Sequence, residues 1–321
     1  SRKLSFSVLQ TMAVAQKLYE AGKISYMRTD STNLSEEAIA KAVAAIEQNY
    51  GPDYVETRRF KAKSEGAQEA HEAIRPTDFL AQQVSGDRNE QRLYELIWKR
   101  AIASQMADAR LERTIATVGI STVPQELLAQ GEVIKFEGFL KVYLEGSDND
   151  EDEESKGMLP PLTVGQVLNL DTLRATQRFT RPAPRYTEAA LVKKLEELGI
   201  GRPSTYAPTI STVQQRGYVV KDDREGKPRP FQEYALKDGR ITRSQGQEMV
   251  GAEKAKLFPT DTGTVVNDFL VQHFADIVDY SFTATVEKEF DEIAAGKLKW
   301  VKMLDEFYSG FHAKVINTTD I

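Results

Sequence analysis

Cysteine is absent from the 321-residue chain. That absence removes disulfide staples, thiolate zinc sites and cysteine nucleophiles from consideration. Histidine is scarce as well: His71, His273 and His312 are the three in the sequence, far apart, too few for a transition-metal centre built from protein ligands. No apolar run approaches the roughly 20 residues of a membrane-spanning helix, and the opening SRKLSFS has no signal-peptide core. The expectations are a cytoplasmic location and no membrane partner.

What is present is ordinary for a soluble globular protein, with 40% hydrophobic and 28% charged residues and length for two or three domains. A net charge of -6 argues against a polyanionic partner only if it is evenly spread, and it is not. Glu145 to Glu154, EGSDNDEDEE, holds seven carboxylates and no base, whereas Thr172 to Pro230 holds twelve Lys/Arg against six Asp/Glu. Such a basic stretch is either a solvated surface or a nucleic-acid face. The acidic run alternates carboxylates in a way that suggests a cation loop. It lacks the glycine a calcium loop requires at its sixth position, and no apolar residue follows to fix ligand geometry. It reads as a solvated loop.

Periodicity predicts a helix over Ser5 to Ala21, with Val8, Met12, Ala15 and Tyr19 on one face and Gly22 at its end. Ser35 caps a second helix carrying Glu36 and Glu37 in its first turn and Ile39, Val43, Ile46 and Tyr50 on its face, stopped by Gly51-Pro52. Asp87 and Glu90 form a capping box for a third, through Leu93, Ile97 and Ala101. Alternation in Thr114 to Val123, Val133 to Glu145 and Leu162 to Leu173 predicts a small sheet. Thr187 caps a helix that ends at Gly199, and another runs from Tyr206 to Arg216. A hairpin is expected from Val219-Val220 across DDREGKPR to FQEYAL, and three amphipathic helices from Thr260 onward. Two short helices with a β-wing fit a helix-turn-helix nucleic-acid binder or a plain helical subdomain with a surface hairpin. AQKLYEAG (15–22) and VKKLEELG (192–199) form a faint internal repeat. The expected division is a helical part over 1–110, a β-rich part over 111–178 and a helical part over 179–321.

Three stretches can carry chemistry. In YMRTDST, Tyr26 leads a polar run. A phenol, with a pKa near 10, needs help to attack, but an aryl phosphodiester keeps the bond energy of a cut strand for resealing. Arg28 offers bidentate donors to a phosphate, and Thr29, Ser31 and Thr32 offer neutral ones. The alternative is a half-buried structural tyrosine. In HEAIRPT, His71, Glu72, Arg75 and Thr77 surround a proline-fixed bend suited to a phosphate, with His71 donating or relaying a proton; a surface histidine is the alternative. In GIGRPSTYAPTISTVQQRG, Arg202 and Arg216 flank a helix whose N-terminal amides suit a phosphate, and Tyr206 either stacks on a base or packs.

With these motifs in this order, the chain resembles the type IA DNA topoisomerases, and most closely their bacterial topoisomerase I branch. The likeness runs through RYTEAALVKKLEELGIGRPSTY and FTATVEKEFDEIAAGKLKWVKMLDEFY. Met27 and Glu72 stand where the topoisomerase III branch tends to have proline. The resemblance implies a multidomain, mainly helical fold with helix-turn-helix-like parts and a β-rich hinge domain. It implies an isomerase that relaxes negatively supercoiled DNA without ATP by cutting one strand, passing another and resealing. Tyr26 matches the nucleophile that becomes joined to the 5′ phosphate, Arg28 the transition-state arginine and His71 the supporting histidine. Arg202, Thr205 and Arg216 match positions gripping the single strand, and Thr29, Asp30, Ser31, Arg75 and Ser204 join them as expected DNA contacts.

The family's metal-binding Toprim domain, which supplies a glutamate, a lysine and the acidic cluster for Mg²⁺, has no counterpart in this sequence. Nor do the cysteine-rich zinc modules. The chain therefore reads as a central fragment with incomplete hinge and groove domains, monomeric, with no cofactor of its own and unable by itself to relax DNA. A topoisomerase III or reverse gyrase fragment, or a non-catalytic nucleic-acid module, are the alternatives. The basic stretch after Thr172 predicts weak, salt-sensitive binding to single strands. A labelled oligonucleotide titrated at low and moderate salt should bind less tightly at the higher salt, and no binding at either counts against a strand groove.

Overall fold

The computed structural model describes residues 2–60, 71–144 and 159–319. The acidic run 145–154 lies outside them. The chain divides into two compact units, residues 13–171 and residues 1–12 together with 172–321.

In the unit of residues 13–171, three helices form the core: α1 (Val8–Glu20), whose first residues fall in the other unit, α2 (Glu36–Tyr50) and α3 (Arg88–Ala103). Their ends follow local chemistry. Ser35 accepts a hydrogen bond from the Ala38 amide, and both halves of the Asp87–Glu90 capping box are formed. The buried face of α2 is wider and flatter than the predicted one, because Ala38, Ala42 and Ala45 join Ile39 and Ile46 in it. The inward face of α1 differs too: Val14, Ala15 and Leu18 are buried, while Tyr19, predicted on that face, is 40% exposed. On α3, Trp98 Nε1 donates to Phe79 O (2.8 Å) and the Tyr94 hydroxyl to Ala81 O (2.6 Å), which fastens the preceding loop. Burial, with a smaller contribution from Asp78, pushes the Tyr94 phenol up to about 12.

Strands β1 (Arg110–Gly119) and β2 (Glu126–Phe136) then form an antiparallel ribbon, paired from Arg110↔Phe136 to Gly119↔Glu126. The predicted strand through Val133 to Glu145 stops at Phe136 and gives way to a helical turn, Gly138–Lys141. Gly138 explains the break. Its φ is +50°, and a Cβ there would lie 2.4 Å from Ala107 O, so the chain passes too close to its neighbour to continue as a strand. The predicted strand over Leu162 to Leu173 forms only at its end, from Thr172; before that the chain is irregular apart from a turn closed by Gln166 N–H to Thr163 O and Thr163 N–H to Gln166 Oε1, each 3.1 Å.

The second unit holds β3 (Thr172–Thr176), α4 (Glu188–Glu197), α5 (Tyr206–Gln215), β4 (Val219–Arg224), β5 (Lys227–Lys237), β6 (Arg240–Val250), β7 (Glu253–Pro259), α6 (Asp261–His273), α7 (Ala275–Val278), α8 (Phe282–Ala294) and α9 (Trp300–Thr318). One sheet runs β3-β5-β6 and a second pairs β4 with β7, all antiparallel. The predicted hairpin between 219–220 and FQEYAL is thus absent among the described residues. The hairpin that does form joins β5 to β6 through Asp238 and Gly239, at φ +49° and +71°. Positive φ at both central residues is what an Asp-Gly type I′ turn supplies, and its twist matches the flanking strands. Pro228 and Pro230 sit where β5 has β6 but not β3 beside it, since β3 pairs only with Glu233 to Lys237. Contacts among Phe274, Phe282, Phe307 and Phe311 hold the final helices together, with the short α7 added to the three predicted.

Glu188, at the start of α4, is 8% exposed. Its carboxylate accepts from the Val8 amide (2.9 Å) and Gln214 Nε2 (3.2 Å) and lies 3.6 Å from Lys221 Nζ. An anion at the first amide of α1 meets both an unpaired donor and the positive end of the helix dipole.

Gly138→Ala should destabilise the unit of residues 13–171 by about 1–3 kcal/mol, from the left-handed φ and the steric conflict together. Denaturant unfolding of the two proteins measures the difference.

Candidate active site

The site begins at the end of α1. Gly22, at φ +68°, reverses the chain, with its amide donating to Tyr19 O (2.8 Å) and the Lys23 amide to Leu18 O (2.9 Å). This paired cap satisfies the last helical carbonyls. The strand that emerges pairs with the segment after His71. Ile24 bridges Pro76, the Ser25 amide donates to Arg75 O (2.9 Å) and the Thr77 amide to Lys23 O (3.0 Å). Ser25 Oγ completes the pairing by donating to Ala73 O (2.8 Å) and accepting from the Arg75 amide (2.9 Å).

This pairing brings Tyr26 and His71 together. The Tyr26 ring is 40% exposed and meets the His71 ring edge to face, centroids 6.4 Å apart at 78°. On α1, Tyr19 meets it likewise, at 5.3 Å and 69°. Met27 is 3% exposed and anchors the chain just past the tyrosine, while Arg28 points to solvent with no ion-pair partner among the described residues. Thr29 Oγ1 accepts from the Ser31 amide (3.0 Å) and Ser31 Oγ from the Asn33 amide (3.2 Å). These hydroxyls shape the loop, and accepting leaves each with its proton to donate. Asp30 lies between them, half-buried.

Glu72 closes the loop on its other side. Its Oε1 accepts from the Ser35 amide at the start of α2 (2.8 Å), and its Oε2 from Arg75 Nη2 (2.7 Å). Arg75 also donates to Pro76 O (3.1 Å), and its buried Nε has no partner among the described residues. The guanidinium that the sequence offered for DNA is therefore engaged within the loop. Burial acts to raise the Glu72 carboxyl, but the hydrogen bonds from Arg75 and Ser35 together outweigh it and hold the group below the usual 4.5.

The other motif lies in the second unit. Gly201, at φ +81°, leads into α5. Thr205 Oγ1 accepts from the Arg202 amide (2.9 Å) and donates to Arg202 O (3.1 Å), so it closes the turn instead of capping the helix. Arg202 Nε reaches Glu287 Oε1 at 2.9 Å. Ser204 and Arg216 are exposed, with Arg216 at the far end of α5.

Sequence reasoning missed Tyr19, Ser25 and Glu188. Ser25 and Glu188 owe their roles to partners 48 and 180 residues away, which no local pattern reveals. Tyr19 sat at a core-facing position by period, and only its spacing from the Gly22 cap hinted otherwise. No group of three or more His, Asp or Glu that could hold a metal ion occurs among the described residues. No helix among them is long and apolar enough to cross a membrane.

Residues 1–233 and 239–305 match the family model described as DNA topoisomerase. The chain is similar to DNA topoisomerase 1 of Zymomonas mobilis (43% identity, 98% of this chain, 24% of that protein). It is also similar to that of Rickettsia felis (42%, 98% and 38%) and that of Pseudomonas aeruginosa (41%, 98% and 32%). The solved structure of full-length topoisomerase I from Thermotoga maritima matches with a TM-score of 0.70 at 33% identity, over 97% of this chain and 47% of that one. The chain belongs to the DNA topoisomerase family, and its fold is that of a type IA topoisomerase I. It spans between 24% and 38% of the length of these curated relatives.

Because the Glu72 carboxyl is lowered in the folded state, the stability it contributes is fully present above 4.5 and is lost as pH falls through its lowered value. Glu72→Gln should cost about 1 kcal/mol near neutral pH. Its thermal melts should converge with those of the unsubstituted chain in acid. A gap independent of pH would contradict the Glu72–Arg75 pairing.

Proposed function

We propose that this chain carries the strand-cutting tyrosine of a DNA topoisomerase I and acts on a single-stranded segment of negatively supercoiled DNA. The observation that carries the reading is the exposed Tyr26 ring against His71, with solvent-facing Arg28 two residues on, the two loops locked together by the Ser25 pairing. The Tyr26 oxygen attacks the phosphorus and loses its proton to solvent. A phosphorus–oxygen bond to the phenol forms as the bond to the 3′ oxygen breaks, and that oxygen takes a proton from solvent and leaves as a hydroxyl. Arg28 balances the charge that develops on the phosphate, and His71 donates a hydrogen bond to it. The free 3′ hydroxyl then attacks the phosphotyrosine, restoring both strand and phenol, so no ATP is consumed.

Thr29, Asp30 and Ser31 line the approach of the strand beside Tyr26. Arg202, Ser204, Thr205 and Arg216, around α5, contact single-stranded backbone. Arg75, engaged with Glu72, serves the strand through the loop it holds. On this reading residues 1–110 carry the tyrosine, 111–178 belong to a hinge and 179–321 line the strand groove. The protein works as a monomer in the cytoplasm. Magnesium is a requirement of the whole protein's reaction, and no step above runs through it.

The test is an oligonucleotide in which sulfur replaces one bridging 3′ oxygen, so that the leaving group departs as a thiolate and needs no proton. The chain should form a covalent adduct with the 5′-phosphate fragment. Tyr26→Phe should form none, and Arg28→Ala should slow the reaction about 10²-fold or more. An adduct that persists in Tyr26→Phe would overturn the assignment.

A further inference from the structure

We infer that Tyr19 is a positioning residue for Tyr26, holding the phenol in its attacking orientation by ring contact; the inference rests on the function proposed above. Tyr19 lies in the last turn of α1, next to Leu18, which is 2% exposed, so its backbone is fixed by the core. The Gly22 cap turns the chain back, and Tyr26 returns over that same turn. The Tyr26 ring is then flanked by Tyr19 at 5.3 Å and 69° and by His71 at 6.4 Å and 78°.

Edge-to-face contacts at these separations are favourable, and here they also exclude. A tyrosine on an exposed loop samples several staggered χ1 wells. Rings on two sides remove wells that would swing the hydroxyl away. Of the two, Tyr19 is the wall carried on a helix. His71 stands on a loop and has the phosphate to serve.

The Tyr19 ring is 40% exposed although its helical position faces the core side by period. The contact needs a ring and no hydroxyl, which separates positioning from a second nucleophile or a hydrogen-bonding role. A misaligned nucleophile loses rate, not substrate affinity.

Two measurements on the chain test this. With the thiolate-leaving oligonucleotide, Tyr19→Ala should lower the maximal rate of adduct formation about threefold to tenfold, with the half-saturating concentration unchanged. Tyr19→Phe should restore the rate. In aromatic NMR spectra, the Tyr19 contribution to the ring-current shift of the Tyr26 resonances should be lost in Tyr19→Ala, so that they move, and should persist in Tyr19→Phe. A Tyr19→Ala rate equal to that of the unsubstituted chain overturns the inference, and so does an equal loss in both variants. Should the unsubstituted chain form no adduct, the proposed function fails, and an unmoved Tyr26 shift in Tyr19→Ala would then overturn the ring contact separately.

Discussion

The site depends on the short antiparallel pairing between residues 22–25 and 73–77. Backbone bonds join Ser25 to Arg75 and Thr77 to Lys23, and the Ser25 hydroxyl donates to one carbonyl while accepting one amide. A polar loop rich in Thr, Ser and Asp has no apolar surface of its own to hold it in place. It is held instead by satisfied backbone groups on one side and by the buried side chains of Ile24 and Met27 on the other. Removing either partner of a buried hydrogen bond costs the full desolvation of the one left behind, which makes such a pairing stiff for its size. Tyr26 and His71 each lie one residue outside a fixed pair or its neighbour, and so they inherit that stiffness.

Glu72 extends the pairing to the start of α2. One carboxylate joins the Ser35 amide to the Arg75 guanidinium, so a helix N-terminus, the tyrosine loop and the histidine loop share a single anchor. Arginine engaged in this way keeps the loop ordered, and Arg28 remains open to solvent for an anion. The two guanidiniums have divided the structural and the chemical work that the sequence presented side by side.

The same end-of-helix device recurs at Gly22, Gly199, Gly217 and Gly296, and the first two deliver candidate-site loops. Gly22 and Gly199 have φ of +68° and +67°. Each is followed by an amide donating back to the helix, Lys23 to Leu18 O at 2.9 Å and Ile200 to Leu195 O at 2.8 Å. One cap delivers the YMRTDST loop and the other the GIGRPST turn. The repeat between AQKLYEAG and VKKLEELG is therefore a repeat of backbone geometry, with a glycine in the left-handed region where a side chain would be strained.

Helix ends were legible because their causes are local. Ser35, Asp87 with Glu90, Thr187 and Gly22 act within four residues of themselves, and each does so in the structure. Strand partners were not legible. The alternation that marks β4 and β5 says nothing about which strand each joins, and the Asp238–Gly239 turn, a two-residue signal, outweighed the longer charged stretch that looked like a turn. The sequence alone determined the residue types of the candidate site and their order, since a phenol, a guanidinium and an imidazole are chosen by chemistry. Tertiary structure decided which of them face solvent, that Arg75 is engaged by Glu72, and that Tyr19 leaves the core to meet Tyr26, because those outcomes depend on partners many residues apart competing for the same hydrogen bonds and the same space.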